Sequence, residues 1–169
     1  MERRWLNSYP SEIPGHLEYD SKPLFAYLES AAEEKKDKTA VHFLGKTLTF
    51  GELHECSLRF AHALSKLGVV KGDRVAIMLP NCPQAVIAYY GTLFLGAIVV
   101  QTNPLYTERE LRHQLSDSGA KVIVGLDLLF GRISAVRADT NIEHIVVTSI
   151  KDYLPFPKNL LYPIVQKRQ

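Results

Sequence analysis

Two cysteines are all the chain has, Cys56 and Cys82, and they stand far apart with no C-x-x-C pair. That spacing excludes a zinc knuckle and a disulfide framework and leaves two reduced, structural thiols. A surplus of one charge is missing too. Twenty Lys and Arg face eighteen Asp and Glu, a net charge of +2, so the basic face that marks nucleic-acid binding is absent and no nucleic-acid partner is expected. Uninterrupted apolar runs are also short. The reach from Val75 to Thr107 carries no charge, but Pro80, Asn81, Pro83, Gln84, Gln101, Asn103 and Pro104 divide it. Its longest nearly apolar stretch, Ala85 to Val100, falls below the roughly 20 residues that span a bilayer. The opening "MERRWLNSYPSEIPGHLEYD" has two arginines and no apolar segment behind them, unlike a secretory signal. A cytoplasmic protein is expected.

Familiar catalytic signatures are missing as well. The sequence holds no G-x-G-x-x-G, no G-x-x-x-x-G-K-[ST] and no G-x-S-x-G, which removes three common ways of presenting a phosphate or an activated serine. "HEC" at His54 begins like a zinc-protease helix, yet Leu58 stands where the second histidine is needed. His54 therefore reads as a solvated helix residue, and His16, His42, His62, His113 and His144 are dispersed. Asp73 and Asp117, beside glycines, suit turns between helix and strand. Lys66, Lys71 and Lys121 fall at helix ends or turns, where solvation is the default. Tyr89 and Tyr90 sit in an apolar helix and either fill core or line a lipophilic cavity. No catalytic, cofactor-binding or metal-binding residue is assigned from the pattern.

What the chain does have is order. Apolar residues make up 46% of its 169 positions, enough for one compact core. Helical spacing begins at Leu24, "AVHFLGKTLTF" reads as a β-hairpin turning at Leu44-Gly45-Lys46, and Leu53, Cys56, Phe60, Leu64 and Leu67 line one face of a helix that Gly68 closes. Then a unit repeats: "RVAIML", a helix from Pro83 to Leu95 stopped by Gly96, "AIVV", a helix from Thr107 to Ser118 stopped by Gly119, "KVIV", and a weaker pass into "HIVVTS". Strand, helix and glycine in alternation predict an α/β fold with a mainly parallel sheet of buried strands, flanked by helices. Thr49 and Thr107 each precede a helix with Glu52 and Glu110 three residues on, the pattern of a capping box. Because ligands of parallel sheets sit beyond the carboxyl ends of strands, "PNCP" and "QTNP" are the candidate loops, with Asn81 and Asn103 either touching substrate or opening turns.

The phrases "LTFGEL" and "LGVVKGDRVAIMLPNCPQAVIAYYGTLFLGAIVVQTNPLYTERELRHQLSDSGAKVIV" resemble the N-terminal part of adenylate-forming acyl-CoA ligases, over about Leu24 to Thr148. "NPLYTEREL" is similar to the bacterial long-chain fatty-acid branch in particular. The resemblance implies part of a large N-terminal domain, with residues 1–23 a leader, 24–150 a partial α/β domain and 151–169 a linker or interrupted element. It also implies fatty acid, ATP, magnesium and CoA as substrates and cofactors of a longer parent. None of these is expected to bind residues 1–169 alone, since the family's phosphate loop and catalytic lysine have no counterpart here. A homo-oligomer is compatible with exposed apolar faces. A peripheral membrane contact is an expectation for "NLLYPIVQKR", although Pro163 argues against a regular helix there. The competing reading is a non-catalytic α/β binding or assembly module.

Overall fold

The computed structural model describes residues 3–166; Lys167 and Arg168 of the basic tail lie outside the described residues. Six helices and six strands follow in the order α1 Leu24–Glu34, β1 Thr39–Phe43, β2 Lys46–Thr49, α2 Phe50–Lys66, β3 Arg74–Met78, α3 Pro83–Phe94, β4 Ile98–Gln101, α4 Glu108–Ser118, β5 Val122–Leu126, α5 Phe130–Arg137, β6 His144–Thr148 and α6 Lys158–Gln166. β1 and β2 form an antiparallel hairpin, and the other four strands make a parallel sheet in the order β4-β3-β5-β6.

Alternation along the two central strands decides what packs where. Val75 and Ile77 of β3, with Val122 and Val124 of β5, face one way and join Leu64 of α2 and Ala88 of α3. Ala76, Met78 and Ile123 face the other way, onto Leu111 and Leu115 of α4 and Ile133 and Val136 of α5. Helices thus cover both faces, which is why both strands read as unbroken apolar runs. A third cluster, Leu28, Leu48, Leu53 and Ile87, fastens α1 and the hairpin to α2 and α3. β4 differs from the expected buried strand. Among the described residues it pairs with β3 alone, at the sheet's edge, and Ile98 is 47% exposed.

Both Thr-x-x-Glu motifs are capping boxes. The Thr49 N–H donates to Glu52 Oε2 at 2.8 Å and the Glu52 N–H donates to Thr49 Oγ1 at 3.2 Å; the Thr107 N–H donates to Glu110 Oε2 at 2.8 Å, and the Glu110 N–H donates to Thr107 Oγ1 at 3.4 Å. Gly119 closes α4 at φ 63°, in the left-handed region. Asp117, expected in a turn, lies within the last turn of α4 and is exposed; the turn itself falls to Gly119. Pro163 does not keep the tail from forming a helix. After a 3-10 turn at Ile150–Tyr153, α6 runs through Pro163, because a proline at the sixth helical position forfeits one backbone bond while the rest of the helix is retained.

The tightest helix contact is between α2 and α3. A Cβ placed on Gly91 would stand 2.8 Å from both the Ser57 carbonyl oxygen and Phe60 Cδ1. Gly91→Ala is therefore expected to push α3 off α2 and destabilise the fold by about 1–3 kcal/mol. Thr49→Ala and Thr107→Ala are each expected to cost about 1 kcal/mol through the lost cap. Urea unfolding of the three variants checks both values; a neutral Gly91→Ala would show that the two helices are free to separate.

Candidate functional site

A parallel sheet offers its ligand crevice where successive connections leave in opposite directions. Here the chain leaves β3 toward β4 on one side and leaves β5 toward β6 on the other. The loops that flank that point are Leu79–Cys82 and the 3-10 turn Asp127–Leu129. Sequence pattern pointed to the first of these, with Asn81, and to the loop after β4, with Asn103. The Asn103 side chain accepts from the Leu105 N–H at 3.0 Å, so Asn103 opens a turn. The same loop is held by Arg132, whose Nη1 donates to the carbonyls of Pro104 at 3.2 Å and Tyr106 at 2.8 Å. Asn81 is exposed at the mouth of a cleft. The turn after β5 was missed, and with it Asp127. Asp127 Oδ1 accepts from the Leu128 N–H at 2.9 Å, so Asp127 serves the turn itself, and strand order is needed to see why that turn matters.

The cleft lies between the hairpin and α3 and is an open depression of about 510 Å³. Val41 and Phe43 of β1 form one wall, and Ala85, Val86, Tyr89 and Tyr90 of α3 form the other. Leu79, Pro80, Asn81, Cys82 and Gln101 close the end at the sheet's carboxyl edge. Tyr89 and Tyr90 meet edge to face with ring centroids 5.6 Å apart. They are half-buried, so both of their expected roles are realised at once: each packs on the core and each lines the cavity. Cys82, at the start of α3, is buried, and burial pushes its thiol pKa up against the opposing backbone N–H groups of Ala85 and Gln84. A protonated thiol is an apolar wall, not a nucleophile.

Other sequence candidates scatter. His54 is not solvated as expected: its ring meets Phe94 edge-on at 5.5 Å, and Nε2 is buried without a hydrogen bond. Cys56 lies under Tyr153, whose phenol is pushed up to about 12 chiefly by burial; Lys46 Nζ stands 5.2 Å from that ring. Lys121 is also not simply solvated. It pairs with Asp73 at 2.8 Å at the amino edge of the sheet, and Asp73 Oδ2 accepts from the Val70 N–H at 2.9 Å. Among the described residues no group of three His, Cys, Asp or Glu side chains is placed to hold a metal ion. No Lys or Arg lines the cleft, so its walls do not fit a triphosphate with magnesium.

Residues 28–169 match the family model described as AMP-binding enzyme. A long-chain-fatty-acid–CoA ligase of Bacillus subtilis (strain 168) is 51% identical over 168 residues, 99% of this chain and 30% of that protein. The crystal structure of a long-chain-fatty-acid-CoA ligase from Archaeoglobus fulgidus superposes with a TM-score of 0.72 at 28% identity, covering 81% of this chain and 30% of that one. An anthranilate CoA ligase in complex with anthranoyl-AMP gives 0.73 at 27% identity, covering 84% and 27%. The chain thus spans about 30% of the length of the curated relatives it matches.

The Asp73–Lys121 pair sets a pH dependence. Lys121 and the Val70 N–H hold the Asp73 carboxyl below its ordinary value, and Asp73 holds Lys121 above its own. Stability from Asp73 is complete above an unfolded carboxyl pKa of about 3.9 and is lost as pH falls through the lower folded value; that from Lys121 is complete below about 10.4 and is lost as pH rises through the higher folded value. Tm measured from acid to neutral pH is expected to fall less steeply on acidification in Lys121→Met than in the unsubstituted chain. Parallel curves would show that the pair contributes nothing.

Proposed function

The chain belongs to the AMP-binding enzyme family, and on that premise we propose that it forms one wall of the large N-terminal domain of a long-chain fatty-acid CoA ligase. In that reaction a fatty-acid carboxylate attacks the α-phosphate of ATP and expels pyrophosphate, and the thiol of CoA then displaces AMP from the acyl-adenylate. ATP, magnesium, CoA and a fatty acid are therefore the cofactors and partners of the longer protein. One observation carries the substrate class: 51% identity along 99% of the chain with a protein of that name. Fold similarity does not choose, since a ligase for anthranilate superposes as closely.

The chain's own contribution in this reading is rigidity. The reacting carboxylate and phosphate must be held in line while charge on the phosphate is stabilised. A doubly covered sheet with fixed carboxyl-edge loops gives the other parts of such a site a surface to be held against. A cytoplasmic location belongs to the same proposal, and no helix among the described residues is long and apolar enough to cross a membrane. Peripheral membrane contact rests on Leu160 and Leu161 of α6, which are 70% and 51% exposed.

Calorimetry with ATP and magnesium, together with pyrophosphate release, tests the proposal on residues 1–169 and on the longer protein side by side. The short chain is expected to bind no ATP and release no pyrophosphate, while the longer protein does both with palmitate. Saturable ATP binding by the short chain would reveal a nucleotide site within it. A longer protein that is inert with fatty acids and active on another carboxylate would keep the family and reject the substrate.

A further inference from the structure

We infer that Arg132 is a positioning residue for the reaction of the longer protein: it ties the loop after β4 to the start of α5 and so holds the carboxyl-edge rim of the sheet. The inference rests on the ligase reading. Strand order puts β3 between β4 and β5. A tie from the loop after β4 to the helix after β5 therefore passes across the end of β3, where the connections reverse and a ligand crevice opens. Arg132 makes that tie. It stands in the first turn of α5, and its Nη1 donates to the carbonyl oxygens of Pro104 at 3.2 Å and Tyr106 at 2.8 Å. Those two carbonyls flank Leu105, whose N–H donates to Asn103 Oδ1 at 3.0 Å.

Apolar packing does little for the middle of that loop. Asn103 is exposed and Leu105 is 83% exposed, while Tyr106 packs beside Leu111 and Leu115. Among the described residues Arg132 pairs with no carboxylate, so its charge strengthens the two bonds to carbonyls instead. A second arginine of the same helix provides the comparison. Arg137 also donates to two backbone carbonyls, those of Ile142 and Glu143, but these residues precede β6 at the amino edge, away from the crevice of a parallel sheet. The two side chains thus do the same local work at opposite edges. Removing either leaves two carbonyls without a donor and weakens the fold; only removing Arg132 frees the rim.

The test compares Arg132→Met with Arg137→Met in the longer protein. For pyrophosphate release with palmitate, kcat is expected to fall about tenfold to a hundredfold in Arg132→Met, the effect of a small misplacement of reacting groups, and to be unchanged in Arg137→Met. Tm is expected to fall in both. KM for ATP should hold in Arg132→Met, because the side chain acts through the loop. Hydrogen exchange at the Leu105 and Tyr106 amides should quicken in Arg132→Met alone, and added guanidinium ion, at a concentration that leaves Tm unchanged, should restore part of the turnover of Arg132→Ala. Full turnover in Arg132→Met overturns the inference. An equal loss in both variants also overturns it, since capping of carbonyls would then account for everything. Should Arg132→Met fail to fold, Arg132→Gln, with a shorter amide that does not reach both carbonyls, is read in the same way; free exchange at Leu105 and Tyr106 in the unsubstituted protein overturns the inference without any variant. An unsubstituted protein that is inert with palmitate rejects the ligase reading for that acid, and the exchange comparison still decides the tie made by Arg132.

Discussion

Burial of β3 and β5 on both faces is the constraint from which the rest of the structure follows. A parallel pair has no hairpin to join it and must be bridged by helices, and those helices fall on opposite faces because each crossover is right-handed while the order of strands reverses. Val75 and Ile77 therefore belong to one core and Ala76 and Met78 to the other. The same reversal that divides the core opens the crevice between the loops after β3 and β5. Core and candidate site are thus two consequences of one topological choice.

Local signals in the sequence were clear where the physics is local. A capping box is written in four consecutive residues, so Thr49–Glu52 and Thr107–Glu110 could be read directly. Glycine stops were as plain, since Gly68, Gly96 and Gly119 adopt positive φ where the helices end. Apolar runs revealed β3 and β5. The edge position of β4 was hidden, because "AIVV" has the composition of a buried strand and its exposure depends on which strands flank it.

Long-range pairings were hidden for the same reason. Asp73 and Lys121 are distant in sequence, and only the parallel register of β3 beside β5 brings their preceding turns together. His54 was misjudged because its helix face is covered by Phe94 of α3, a contact that periodicity along α2 alone does not contain. The candidate site was half legible. Strand ends are visible in a sequence, so the loop that carries Asn81 could be singled out, but the turn at Asp127 acquires meaning only through strand order.

Tyr89 and Tyr90 show why pattern gave two roles and the structure keeps both. Adjacent helical residues point about 100° apart, so one turns toward the sheet cluster and the other toward the hairpin cluster, and the angle between them leaves room for a cleft. That cleft is bounded by the hairpin, which is not part of the parallel sheet. The sheet fixes where α3 stands, and the hairpin, fastened separately through Leu48, fixes how wide the gap is. The two are joined at one end, because Leu79 and Cys82 line the gap and also belong to the core cluster of the doubly covered strands.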